Sequence, residues 1–325
     1  MIDKVALRGI IFKHLDGLVT PAVAYSLYEK GVLDYLLDKK EASLTELTMQ
    51  FSANEGYLHV GLRVLCSQGF LKYYINTSTD EIKFGLTEKS EIAFSMFHLY
   101  KDVVDLLQFS MQFHPRLFEE APFEKLKIIF EKYKNNYGVV FSADSKINEV
   151  QHQILTHIEG ALVGPTLVRL GMSGMFHKYF MESSFRPEEF HKSPENFKII
   201  LDFFTYLGWF TQKKGNYQFT ETGLFFAKRA SAYGVTVSYL PTFSKMDDLL
   251  FGNSTILRNI GEGQDEIHVD REMNVWGSGG AHDSYFKVVD EIIIQLFNLP
   301  IEEQPKGILD MGCGNGAFLE HIFNV

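Results

Sequence analysis

The chain reads as mostly α with small β wings, arranged as two tandem modules, followed by the truncated start of an α/β Rossmann-like domain. Three observations predict this. A motif near the N-terminus recurs 143 positions later, which marks a duplication. Each copy is followed by a helix–turn–helix pattern and a hairpin pattern. From Gly307 to Phe323, a short apolar run, a turn with three glycines and a helix with an apolar face follow one another.

The repeat sets the organisation. His14-Leu15-Asp16-Gly17-Leu18-Val19-Thr20-Pro21 returns as His157-Ile158-Glu159-Gly160-Ala161-Leu162-Val163-Gly164-Pro165. Further on, the stretch from Leu62 to Leu71 matches Leu201 to Phe210 at an offset of 139, and Leu86-Thr87-Glu88 matches Phe219-Thr220-Glu221 at 133. The falling offset means shorter loops in the second copy. A unit this long is a duplicated domain and not a solenoid repeat. The expected divisions are module 1 at 1–95, a helical connector at 96–150, module 2 at 151–257, a lid and lead-in helix at 258–298, and the start of the Rossmann-like domain at 299–325.

Each module has winged-helix-like logic. In the first, Ser43-x-x-Glu46 is a capping box that opens a short helix. Ser52-Ala53-Asn54 is the turn, and Glu55 to Gln68 is a second helix with Leu58, Leu62 and Leu65 on one face. Gly69 ends it as a left-handed C-cap residue. Phe70–Ile75 and Ile82–Leu86 are strand-like around a polar tip, Asn76 to Asp80. In the second module Ser193-Pro194 supplies the cap and the N1 proline, Gly208 stops the helix, and Lys213-Lys214-Gly215-Asn216 is the hairpin tip. A winged helix often reads DNA, but the groove-facing helices offer only Arg63 in one copy and Lys198, beside Glu195 and Asp202, in the other. A DNA reader needs several phosphate contacts.

The connector shows helical spacing at Phe97, Tyr100, Val104 and Leu107 and again at Leu126, Ile129, Phe130 and Tyr133, which predicts core. The run from Phe109 to Phe113 is a candidate pocket lining. Residues 259–287 mix Gly, His, acids and aromatics without regular period and read as a loop folding over a ligand. A helix from about Ala281 to Phe297 follows, with Phe286, Val289, Ile293 and Leu296 expected to pack on a sheet.

The glycine turn carries the chemistry. Glycines at 312, 314 and 316 let the backbone turn and approach a ligand with no Cβ in the way. The following helix presents N–H groups to an anion. Gly312-x-Gly314-x-x-Ala317 also satisfies a loose dinucleotide pattern, so NAD or a flavin stays open beside a generic glycine turn. Asp310 favours another tenant: an acid there repels a pyrophosphate and suits a cationic amino group. S-adenosylmethionine has that amino group and a carboxylate for the helix N-terminus. Cys313 is expected to point into the fold. Trp276, His282 and Tyr285 are candidate contacts to the cofactor or substrate.

The stretch Asp310-x-Gly312-x-Gly314-x-Gly316 resembles motif I of class I S-adenosylmethionine-dependent methyltransferases. The order of winged-helix-like modules before a Rossmann-like domain resembles many small-molecule O-methyltransferases, where such modules dimerise and cover substrate. With Trp276-Gly277-Ser278-Gly279-Gly280-Ala281-His282, the chain also resembles methyltransferase units of polyketide assembly lines. That resemblance implies a small-molecule or carrier-bound acyl substrate, S-adenosylmethionine as cofactor, a homodimer through the N-terminal modules and, in some members, bound iron or manganese. His268, Asp270 and His282 are acceptable ligand types at a spacing that diagnoses no metal site, with His321 a further candidate; a hydrogen-bonded connector is the competing reading.

Composition bounds these readings. The net charge of −10 disfavours nucleic acid, and no apolar stretch is long enough to span a membrane. Met1-Ile2-Asp3-Lys4 opens no secretion signal, and two cysteines make no disulfide framework, so a cytoplasmic protein is expected. Because the stretch stops about two turns into the last helix, these 325 residues are expected to be inactive by themselves. The rivals are a winged-helix transcriptional regulator and a non-catalytic protein with a relic cofactor turn.

Overall fold

The computed structural model describes residues 2–109, 120–258, 266–314 and 316–325, with the backbone alone at 120–122 and 280–284. Module 1 runs α1 (Lys4–Glu29), α2 (Val32–Lys39), β1 (Glu41–Ser43), α3 (Leu44–Phe51), α4 (Glu55–Ser67), β2 (Leu71–Asn76), β3 (Glu81–Leu86) and α5 (Ser90–Met96). The connector holds α6 (Lys101–Leu106) and α7 (Glu120–Lys134). Module 2 runs α8 (Ser145–Met172), α9 (Lys178–Glu182), α10 (Pro194–Tyr206), β4 (Phe210–Lys213), β5 (Asn216–Phe219), α11 (Glu221–Ala227), α12 (Ser231–Ser238), α13 (Leu240–Phe243) and α14 (Met246–Phe251). Two helices complete the chain, α15 (Arg271–Phe297) and α16 (Ala317–Asn324).

Most of the expected local signals are used; Pro194 opens α10 as expected, but the Ser193 side chain makes no cap bond there. Ser43 caps α3 by accepting from the Glu46 N–H, but Glu46 does not complete the box, since its carboxylate takes the Tyr35 hydroxyl at 2.6 Å. Gly69 and Gly208 stop α4 and α10 in the left-handed region, at φ 75° and 78°. Lys214 and Gly215, at φ 52° and 84°, make the tight turn that pairs Lys213 with Asn216. In module 1 the antiparallel order is β1-β3-β2; in module 2 a single bridge between Phe185 and Tyr217 stands in the place of β1. Thr87 and Thr220, equivalent in the repeat, each pin their wing to the helix-stopping glycine, through bonds to the Gly69 and Gly208 carbonyls at 2.7 and 2.8 Å.

The duplicated motif lies where the two modules meet. α1 and α8 form the most extensive helix pair, and they cross at Gly17 and Gly160. A Cβ at Gly17 would stand 2.2 Å from the His157 carbonyl oxygen, and one at Gly160 would stand 2.4 Å from the His14 carbonyl oxygen. Each glycine therefore faces the other copy's histidine, a local pseudo-twofold. Both imidazoles are buried and bonded across the crossing. His14 pairs through Nδ1 with the Tyr233 hydroxyl at 2.8 Å and through Nε2 with Glu159 at 3.1 Å. His157 pairs through Nδ1 with the Tyr100 hydroxyl at 2.7 Å and through Nε2 with Gln68 Oε1 at 3.1 Å. Tyr100 and Tyr233 are themselves equivalent, 133 positions apart. Asp16, the counterpart of Glu159, is one methylene shorter, and the partner of His157 Nε2 is the Gln68 side chain.

The modules also clasp each other. α14, from module 2, packs on module 1, where Asn54 donates from its backbone N–H to the Leu250 carbonyl at 2.8 Å and from its amide to the Leu249 carbonyl at 2.8 Å. α7, following module 1, packs on module 2, stacking Phe130 on Phe203 at 4.0 Å. The expected core positions Leu126, Ile129 and Phe130 are buried there. The run 110–113 lies outside the described residues.

Three expectations need correction. The lead-in helix begins at Arg271, ten residues before Ala281, because Asp270 caps it by accepting from the Met273 N–H. Its far half buries little: Leu296 is exposed, and Phe286, Val289 and Ile293 are half-buried. The expected strand at 307–309 forms no ladder among the described residues, and Leu309 is exposed. A parallel strand needs neighbours to bond its backbone, and none stands beside it among the described residues.

Gly17→Ala and Gly160→Ala are each expected to lower stability by about 1–3 kcal/mol through forced separation of α1 and α8. Gly9→Ala, on an exposed turn of α1 with nothing within 4 Å, is expected to raise it by up to about 1 kcal/mol. Thermal unfolding by circular dichroism distinguishes them; equal effects at 9 and 17 would contradict the crossing.

His157 gives the fold an acid limit. Burial pushes its imidazole down to about 3, from an ordinary value of 6.5, so the folded state keeps it neutral. Below pH 6.5 the unfolded chain takes up a proton that the folded chain refuses. Stability is then full above that pH and falls by up to about 1.4 kcal/mol per unit as pH drops toward 3. Asp16 opposes part of this at the acid end, since burial holds its carboxyl above the ordinary range. Urea unfolding from pH 7 to 4 should show a shallower slope in His157→Gln than in the natural chain.

Candidate functional site

The site is built on α15, which a second glycine contact fixes to module 2. A Cβ at Gly277 would stand 2.6 Å from the Val235 nitrogen, and one at Gly234 would stand 2.7 Å from the Gly277 Cα. α12 and α15 are in backbone contact as a result. Polar bonds lock the N-terminal end of α15: the Asp270 N–H donates to the Ser238 carbonyl at 2.8 Å, Asn274 donates to Ser238 Oγ at 3.0 Å, and Thr242 donates to the His268 carbonyl at 2.6 Å.

One face of α15 then meets the glycine turn. Arg271, Asn274, Val275, Ser278 and Gly279 recur at helical spacing and, with Asp310, Gly312, Cys313 and Gly314, line a cleft of about 620 Å³. That size suits a nucleotide-sized ligand. Gly312, Gly314 and Gly316 have φ of 84°, 58° and 81°, a conformation that strains any residue with a Cβ. The Gly316 N–H closes the turn on the Cys313 carbonyl at 2.8 Å, and α16 starts at once. α16 is pinned to α15 by His321 Nε2 on Asp290 at 2.6 Å and by Phe318 against Phe286 at 5.0 Å. Phe286, Ala317 and Phe318 complete the cleft wall.

The residues singled out in the sequence divide. Asp310, Gly312 and Gly314 come together in the cleft, and Gly316 caps the helix behind them. Trp276 is on the opposite side of α15, its ring against Gly171 and Gly234, where it packs on the core of module 2. Tyr285 shares the cleft-facing side of α15 by spacing, two turns beyond Ser278, and is exposed. Asp270 is engaged as the helix cap, His268 accepts through its backbone carbonyl, and the His282 side chain lies outside the described residues. Among the described residues no group of three or more His, Cys, Asp or Glu converges on a metal position. Cys313, expected to point inward, is exposed at the cleft, because no sheet covers the turn.

Arg271, Asn274 and Ser278 were missed. Their signal was present as the i, i+3, i+7 spacing of polar residues after Asp270, but the glycines at 277, 279 and 280 read as loop. A glycine inside a helix is tolerated where another backbone must approach, as Gly234 does here. The buried His14 and His157 networks are no rival site, since neither imidazole reaches solvent.

Three segments match family models. Residues 7–73 match the AprA N-terminal domain, residues 159–253 the AprA winged helix domain, and residues 266–325 the AprA MT2-like domain. No curated protein matches the chain. The described helices include none long and apolar enough to cross a membrane.

Proposed function

We propose that the chain carries the cofactor-binding turn and lead-in helix of an S-adenosylmethionine-dependent methyltransferase. Its substrate class is a small molecule or a carrier-bound acyl chain of polyketide type. The observation that carries this is the cleft itself: an acid and two left-handed glycines opposite the polar face of α15, with a third left-handed glycine capping the helix behind them. The likeness of residues 266–325 to an MT2-like domain supports it.

The donor set suits the cofactor. Asp310 offers a carboxylate to an ammonium group, while Asn274 and Ser278 offer neutral polar groups along the wall. Bound there, S-adenosylmethionine supplies an electrophilic methyl group on a sulfonium sulfur. The protein's own part is to bind and orient. The glycine turn lets backbone approach, Asp310 fixes the amino end, and Phe286 and Phe318 keep one wall apolar and exclude water.

The wings, in this reading, dock and cover and do not read DNA. Arg63 lies over the Tyr73 ring at 5.6 Å, and Lys198 is paired with Asp202 at 2.5 Å, so neither helix offers a run of free cations. A mobility-shift assay at physiological salt should show no selective complex; nanomolar, sequence-selective binding would revive a regulator.

Isothermal calorimetry on the protein at its natural full length should detect S-adenosylmethionine. Asp310→Ala and Gly312→Val should each weaken binding by about tenfold or more, the first by removing a charge-assisted bond and the second by straining the turn. Unchanged affinity in both variants would sink the assignment.

A further inference from the structure

We infer that Arg271 is the carboxylate-binding group of this cleft, and that Glu266 holds it by occupying the same guanidinium until the ligand arrives. The inference rests on the reading of the cleft as a site for S-adenosylmethionine, whose amino-acid end carries one ammonium and one carboxylate.

Arg271 is the first residue of α15 and lines the cleft together with Asp310. The cleft therefore sets one fixed anion and one fixed cation on two facing elements. A zwitterionic amino-acid end needs that pair, and a neutral ligand or a polyphosphate does not. The glycine turn is a poorer carboxylate site than its sequence suggests, because the Gly316 N–H is already used on the Cys313 carbonyl. A planar guanidinium, by contrast, grips a carboxylate through two parallel bonds.

The guanidinium already holds a carboxylate. Glu266 Oε2 accepts from Arg271 Nε at 3.0 Å and from Nη2 at 2.5 Å. Glu266 approaches from the segment before α15 and is not among the residues lining the cleft. Both side chains are about half-exposed, so the pair is screened and contributes little to stability. What it does is orient. Both bonds end on the one oxygen Oε2, so Nε and Nη2 already face a carboxylate, and an incoming carboxylate exchanges for Glu266 at those same two donors. Glu266 is thus a competitor that sets the affinity of the site. The anchoring of α15 on α12 by Gly277 keeps Arg271 in place during the exchange.

The test compares two ligands that differ in the amino-acid end. S-adenosylhomocysteine has it; 5′-methylthioadenosine lacks it. Calorimetry would be run on the protein at its natural full length, as the natural sequence, Arg271→Met and Glu266→Gln. Arg271→Met should weaken S-adenosylhomocysteine by about tenfold to a hundredfold and leave 5′-methylthioadenosine within about twofold, which also shows that the variant is folded. Glu266→Gln should tighten S-adenosylhomocysteine by about two- to fivefold and leave the truncated ligand unchanged, a gain that damage to the fold cannot imitate. Equal effects on both ligands, or none on either, would overturn the role of Arg271 while leaving the cofactor reading intact. Failure of the natural sequence to bind either ligand would sink the cofactor reading and this inference with it.

Discussion

The crossing of α1 and α8 at Gly17 and Gly160 is the constraint on which the remaining packing depends. Two helices approach to backbone contact where a facing position lacks a Cβ, and here each helix supplies one such position, its glycine set against the other copy's histidine backbone. Contact this close buries His14 and His157, and a buried imidazole needs partners for both nitrogens. Tyr233 and Glu159 supply them on one side, Tyr100 and Gln68 on the other. The bonds reach across the crossing, so they fix its register as well as satisfying polarity. With the axis fixed, α14 closes on module 1 and α7 on module 2. The duplicated helices pair with each other within the one chain.

Departures from the pseudo-twofold matter as much as adherence to it. Asp16 is shorter than Glu159, and Gln68 makes up the difference, so the two histidine networks are not copies in chemistry. The larger departure is at Gly234. Its counterpart after Tyr100 is Lys101, whose ammonium is paired with Asp105 at 2.9 Å. Only the module 2 helix offers a bare backbone, so only module 2 receives α15 through Gly277. Where α15 seats, on module 2 and not on module 1, follows from a single small residue that one copy has and the other lacks. The polar locks from Ser238 and Thr242 then set the rotation of α15, and that rotation turns Arg271, Asn274 and Ser278 toward Asp310 and sends Trp276 to the other side.

Local signals in the sequence were legible where one residue decides the backbone. Gly69, Gly208 and Lys214-Gly215 ended helices and turned hairpins as their types require, and Ser43 capped α3. The Leu58, Leu62 and Leu65 stripe was buried as its period demands. Asp310 and the glycine turn were legible for the same reason, since acid and glycines carry their chemistry within a few residues. The start of α15 was not. Its glycines argued for a loop, and the contact that stabilises them, with Gly234, is some 40 positions distant in sequence. Trp276 was read as a ligand contact because a lone tryptophan beside glycines is ambiguous; packing on Gly171 decided its direction.

By itself, the sequence determined the duplication, the left-handed glycines that stop α4 and α10 and turn the second hairpin, and the identity of the acid before the glycine turn. Those are properties of short spans, where steric and hydrogen-bonding preferences act between neighbours. The tertiary structure alone decided that the repeated His-x-x-Gly motifs face each other, that Gln68 partners His157 where the other copy uses Glu159, and that Arg271 shares a cleft with Asp310. Each of these joins residues tens to more than a hundred positions apart, through helix crossings whose closeness depends on what both partners lack. A missing Cβ leaves no pattern in a sequence until the second missing Cβ is brought against it.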